Sequence, residues 1–93
     1  MKIVPTAERY KKASENLDYD FDFTELLGSD ILLSAVVSSV PSGLTLGVKM
    51  VTSTIVKQYV SGGVVGTIYT VTCQMTSVSG RVKGLDLLLT IIA

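Results

Sequence analysis

Apolar and polar positions alternate with a period of two along most of this chain. Over Leu17-Asp18-Tyr19-Asp20-Phe21-Asp22-Phe23 the alternation has no fault. Successive side chains on a strand point to opposite faces. Leu17, Tyr19, Phe21 and Phe23 are therefore predicted to face a core while the three aspartates face water. Thr24-Glu25-Leu26-Leu27-Gly28 has the composition of one short helical turn closed by glycine. Residues 31–40 are apolar and β-branched with interspersed serines, and Pro41-Ser42-Gly43 ends them as a turn. Leu44, Leu46, Val48 and Met50 alternate in a third strand, and residues 55–60 form a fourth.

Ser61-Gly62-Gly63 opens the next turn and Gly66 closes it. Along residues 67–77, Tyr69, Val71, Cys73 and Met75 share one face, with Ile68, Thr70, Thr72, Gln74 and Thr76 on the other. After the Ser79-Gly80 turn, Leu85, Leu87, Leu89 and Ile91 alternate in a last strand. Six to seven short strands at intervals of about ten residues, with glycine or proline between them, predict an all-β chain. The expected fold is an immunoglobulin-like antiparallel β-sandwich over residues 17–93. It lacks that fold's disulfide, because Cys73 is the single cysteine.

Residues 1–16 differ from the rest. They hold Arg9, Lys11 and Lys12, one proline and few branched apolar side chains. They read as an extended, exposed N-terminal arm with a helical turn over residues 7–13. Two readings stand side by side: a frayed terminus, or an arm that orders on a neighbouring subunit through Arg9, Tyr10, Lys11 and Lys12.

Composition narrows the function. The chain has 93 residues, 47% hydrophobic and 17% charged, against roughly 25% charged in ordinary soluble domains. A single domain of this size has a thin core, so scarce charge suggests surface covered by neighbouring subunits. The net charge of zero gives no footprint for nucleic acid. With no histidine and one cysteine, zinc sites, disulfide frameworks and Cys–His pairs are excluded. No apolar run approaches the ~20 residues of a membrane span, and no apolar signal segment is present in the first residues. Synthesis in the cytoplasm, without export, is the expectation.

Charge is unevenly placed. Residues 1–30 carry four basic and seven acidic side chains, and residues 31–93 carry four basic and one acidic. The first reading is a solvated strand face. The second is head-to-tail contact, in which Asp18, Asp20 and Asp22 of one subunit meet Lys49, Lys57, Arg81 or Lys83 of the next, fixing register.

Candidate chemistry is thin. Asp18, Asp20 and Asp22 imitate the start of a calcium loop but lack its glycine turn and distal glutamate. An acid–base pair needs two carboxyl environments pushed apart, which a row of solvated aspartates does not offer. No histidine base accompanies the serines and threonines. Ser61-Gly62-Gly63-Val64-Val65-Gly66 precedes a β-branched strand instead of the helix and lysine of a phosphate loop. Cys73 reads as a small core hydrophobe. Neither enzyme nor cofactor is indicated.

A set of segments nonetheless resembles a known group. These are Leu17-Asp18-Tyr19-Asp20-Phe21-Asp22-Phe23, then Leu27 and Asp30-Ile31, then Ser61-Gly62-Gly63 and Gly66-Thr67-Ile68-Tyr69-Thr70-Val71-Thr72, then Thr76-Ser77 with Gly80-Arg81. In order and spacing, over roughly residues 17–92, they resemble small tailed-bacteriophage virion proteins described as fiber–tail adaptor proteins. Phe23 stands where that group usually has tryptophan, and Val78 adds one residue before the Gly80-Arg81 turn.

At the matching positions, Gly62, Gly63 and Gly66 would permit a tight connection. Tyr69 would bury its ring and keep its hydroxyl at the rim, with Tyr19, Phe21 and Phe23 in the core. Arg81 would bond turn carbonyls, or reach Asp18 or Asp20 of another subunit. The resemblance implies a non-enzymatic structural component of the virion, joining fiber or neck to the tail. Its partners would be other virion proteins of the tail, neck, fiber or capsid, within a symmetric homo-oligomer and without nucleic acid or membrane. A capsid decoration protein is the alternative. A carbohydrate- or surface-binding module ranks behind both, since Tyr10 and Tyr59 are the only spare aromatics.

Overall fold

In the computed structural model, residues 2–3 and 7–93 are described, with side chains from Glu8 onward. Among these residues eight strands and one helical turn follow one another: β1 (Lys2–Ile3), β2 (Ala7–Lys12), β3 (Leu17–Asp22), α1 (Thr24–Leu27), β4 (Leu32–Val40), β5 (Leu44–Val51), β6 (Ile55–Gly62), β7 (Ile68–Ser77) and β8 (Val82–Ile92). They form two four-stranded sheets, in the orders β1-β3-β6-β5 and β2-β8-β7-β4. The sequence of β3-β6-β5 facing β8-β7-β4 is that of strands B-E-D and G-F-C in a constant-type immunoglobulin sandwich.

Both sheets turn their apolar phase inward. From β3 come Tyr19 and Phe21, with Phe23 just beyond; from β7 Tyr69, Val71, Cys73 and Met75; from β8 Leu85, Leu87, Leu89 and Ile91. Fully burying such side chains contributes about 1.5–3 kcal/mol each, and the alternation seen in the sequence is what aims them all at one layer.

Two expectations are corrected. Within the arm, the helical turn expected over residues 7–13 is instead strand β2 over residues 7–12, lying parallel to β8 from Ala7 opposite Leu87 to Lys12 opposite Ile92. Backbone pairing to the edge of β8 satisfies N–H and C=O groups that a free arm would leave to water. Residues 1 and 4–6 of that arm lie outside the described residues. Within residues 17–93 every strand pair is antiparallel, as expected, and the arm adds the parallel edge pairs β1–β3 and β2–β8.

The second correction concerns β5. Its register against β6 shifts between Leu46 and Lys49, and a bulge there inserts an extra residue, which reverses the facing of the residues after it. Leu44 and Leu46 pack on the core, while Val48 and Met50 are exposed. Gln58, buried on β6, holds the bulge by donating from Nε2 to the carbonyls of Gly47 (3.0 Å) and Tyr59 (2.8 Å).

Candidate interaction surfaces

The segments singled out in the sequence converge at the two ends of the sandwich. At one end α1 meets the β7–β8 turn. Arg81 Nη2 donates to the carbonyl of Leu27 at 2.6 Å, and Arg81 Nε lies 3.5 Å from Asp30 Oδ2. The Ser79 hydroxyl also donates to Asp30, Ile31 N–H donates to Asp30 Oδ1 at 2.9 Å, and the Ser77 hydroxyl accepts from Arg81 N–H at 3.0 Å. Hydrogen bonds from Ser79 and Ser77 hold the Asp30 carboxyl well below the usual carboxylate range. Arg81 is thus engaged within its own chain, and its partner is Asp30.

The opposite end is organised by Tyr69. Its ring is buried and its hydroxyl accepts the Val64 N–H at 3.0 Å, the arrangement of a tyrosine corner near the start of strand F. Gly62, Gly63 and Gly66 all have positive φ. At Gly63 (φ +104°) a Cβ would lie 2.7 Å from Ile91 Cγ1, so the connection runs too close to β8 for any side chain.

Lys11 closes the same end from below. It is fully buried, and its ammonium donates to the carbonyls of Lys12 (2.7 Å), Glu15 (2.9 Å) and Gly62 (2.8 Å). All three donors of the group are used. Burial pushes its pKa below the ordinary value, opposed by the charge of Glu15. As a contact for a neighbouring subunit Lys11 is corrected: it is a buried tie between the β2–β3 turn and β6. Its neighbours differ, with Tyr10 and Lys12 exposed and Arg9 half-buried, donating from Nη1 to the Glu8 carbonyl at 2.7 Å.

The aspartate row lies on the outer face of β3 as expected, but its members differ. Asp18 pairs with Lys57 on β6 at 3.7 Å, in its own chain. Asp22 Oδ1 accepts the Thr24 N–H at 2.9 Å and leads the chain into α1. Asp20 Oδ1 is buried without a hydrogen-bond partner among the described residues. Lys49 reaches from β5 across to the Ala35 carbonyl on β4 at 2.5 Å, while Lys83 stays exposed. Among the described residues no group of three or more His, Cys, Asp or Glu is placed to hold a metal ion, and no helix is long and apolar enough to cross a membrane. Burial pushes the Cys73 thiol up to about 12, leaving it protonated and unreactive at neutral pH.

Sequence reasoning missed the buried roles of Lys11 and Gln58. It also missed the aliphatic side chains that β4 and β5 present to solvent: Leu33, Val36, Val40, Val48 and Met50. Gln58 had a signal, a polar residue in the inward phase between Val56 and Val60. The chemistry available on these surfaces is that of contact, by apolar side chains, open strand edges and a few free charges.

No curated protein matches the chain. A family model, described as podophage GP4 fiber-tail adaptor protein gp77, matches residues 11–90. That span includes both polar end clusters, all of β3 to β7 and most of β8, so the chain belongs to the podophage fiber-tail adaptor protein family.

Proposed function

We propose that this protein is a non-enzymatic component of the virion that joins fiber or neck components to the tail through repeated subunit contacts. The observation that carries the reading is the family match over residues 11–90. The surface supports it. Leu33, Val36 and Val40 on β4, and Val48 and Met50 on β5, put aliphatic side chains in solvent on the edge strands of the two sheets. Exposed apolar side chains of this kind fit a surface that neighbouring subunits cover. Rigidity comes from the two end clusters, which tie each turn to a distant strand and let the sandwich act as a spacer of fixed shape.

The test is the copy number and position of the chain in purified particles, by quantitative mass spectrometry together with labelling of the intact virion. A few copies, confined to the tail end, are expected. Copies comparable to the major capsid protein would make it a decoration protein, and absence from particles would overturn the virion role.

A further inference from the structure

The free edge of β4 is patterned for one particular partner. Ser77 donates its N–H to the Arg81 carbonyl at 2.8 Å, across the β7–β8 turn. Backbone groups alternate sides along an antiparallel ladder, so the odd residues of β7 point theirs at β8 and the even ones at β4. Through the register of Ser34 with Thr76, Val36 with Gln74 and Ser38 with Thr72, the even residues of β4 bond β7. Ala35, Val37 and Ser39 therefore turn their N–H and C=O groups outward, where no strand follows among the described residues.

That outward row is bounded at both ends. The Ala35 carbonyl is already filled by Lys49 Nζ, and Pro41 has no N–H to give. Midway between them is Ser38. If a second copy lays its β4 antiparallel across a two-fold axis at Ser38, Val37 of each copy exchanges both hydrogen bonds with Ser39 of the other. Ala35 then falls just past the end of the second copy's β4, where Pro41 begins the turn. The donor that Pro41 lacks is the one Lys49 has already supplied.

Other registers conflict. Centring on Val36 or Val37 sends the N–H of Val37 or Ser39 to the occupied Ala35 carbonyl. Centring on Ser39 or Val40 places Val37 or Ser39 against Pro41. On the outer face the register at Ser38 sets Val36 against Val40 of the second copy. These are the two most exposed large hydrophobic side chains among the described residues, at 67% and 69%. Between residues 31 and 56 the only charged side chain is Lys49, so like meets like and no other charge lies in the segment to be desolvated.

We propose that two copies of this chain join through β4, antiparallel about Ser38, fusing their β2-β8-β7-β4 sheets into one continuous sheet, with Lys49 setting the register. This names the partner and residues for one of the repeated contacts of the proposed function, and rests on that reading for its place in the particle.

The test is cysteine cross-linking of the purified full chain under mild oxidation. In this register Ser38 faces its own copy in a non-hydrogen-bonded pair with Cα atoms about 4.5 Å apart, within disulfide range. Ser38→Cys is expected to become disulfide-linked dimer as its main species, while Ser34→Cys, which falls beyond the end of the second copy's β4, yields only traces. Adding Lys49→Met to Ser38→Cys frees the Ala35 carbonyl and should lower the yield several-fold as other registers become available. A monomer at every concentration, or equal yields from Ser34→Cys and Ser38→Cys, overturns the seam. The particle experiment is independent. A tail-end protein without the cross-link rejects the seam alone, and a cross-linked protein absent from particles rejects the adaptor role alone.

Discussion

Lys11 and Gly62, 51 positions apart, are joined by a hydrogen bond of 2.8 Å from a fully buried ammonium to a carbonyl at the end of β6. The same ammonium holds the Lys12 and Glu15 carbonyls, so one side chain fixes where the chain leaves β2 and enters β3. The family match begins at residue 11, at this tie.

Replacing Lys11 by methionine keeps the length of the stem and leaves these acceptors without their donor. Lys11→Met is expected to lower stability by about 1–3 kcal/mol, read by urea denaturation. The effect also depends on pH. Burial lowers the Lys11 pKa from its ordinary 10.5, so the unfolded chain binds the proton more tightly. Between the folded pKa and 10.5 folding releases a proton, and this group's contribution to stability rises with pH. Lys11→Met lacks that rise, so its deficit relative to the native chain should widen through the same window. A deficit independent of pH there would show that Lys11 is solvated.

Tyr19 presents the opposite case. Its ring is fully buried and its hydroxyl has no hydrogen-bond partner among the described residues. An unpaired buried hydroxyl carries a desolvation cost of about 1–3 kcal/mol. Tyr19→Phe should therefore leave stability unchanged or raise it by ~1 kcal/mol, as measured by thermal unfolding. Burial first, then the charge of Glu15, pushes the Tyr19 pKa from 10.0 up to about 12. The raised value means that stability present below 10 is lost as pH climbs toward 12, and Tyr19→Phe should lose less over that range. A clear destabilisation by the Phe variant at neutral pH would mean that the hydroxyl has a partner in solution.

How much of this was legible in the sequence depends on what kind of force places each residue. Strands β3, β7 and β8 were readable because burial of one face imposes a period of two on the sequence itself, and Tyr19, Tyr69 and Leu87 lie where that period puts them. Val48 and Met50 follow the same period but sit beyond a bulge, which changes facing without changing the pattern. The pairing of β2 with β8 left no trace either. Its segment Ala-Glu-Arg-Tyr-Lys-Lys is held by backbone bonds, and it turns a lysine inward and a tyrosine outward. Long-range polar ties such as Lys11 to Gly62 depend on which turns the fold brings together. The Asp30–Arg81 pair was half visible, because both residues stood in the resembling segments while their contact did not.

Tyr69 should be among the most sensitive positions. Removing its hydroxyl in Tyr69→Phe frees the Val64 N–H and is expected to cost about 1 kcal/mol, whereas Tyr69→Ala empties a core site and should cost ~3 kcal/mol or more. Gly43 is constrained by the same side chain. It sits at φ +133°, and a Cβ there would lie 2.7 Å from the Tyr69 hydroxyl oxygen. Gly43→Ala should destabilise the native chain and destabilise Tyr69→Phe less, since the colliding oxygen is gone. Equal effects in both backgrounds, in a double-mutant cycle followed by urea denaturation, would place the cost of Gly43→Ala in the backbone alone.

Acid stability should trace to Asp30. Hydrogen bonds from the Ser79 and Ser77 hydroxyls, with smaller contributions from the Ile31 and Ser79 backbone, depress its pKa below the ordinary 3.8. A depressed carboxyl stabilises the fold above its unfolded value, and that contribution is lost as pH falls from there through the folded value. Asp30→Asn keeps the shape but removes the charge facing Arg81 Nε at 3.5 Å. It should lower stability at neutral pH and flatten the decline below pH 3.8, so that the native chain and the variant converge in acid. Ser79→Ala should act in the same direction by removing the first hydrogen bond. Arg81 keeps its bond to the Leu27 carbonyl in either variant, so α1 should stay docked on the β7–β8 turn. Curves that remain parallel down to strong acid would show that Asp30 is not the group whose protonation loosens this end of the sandwich.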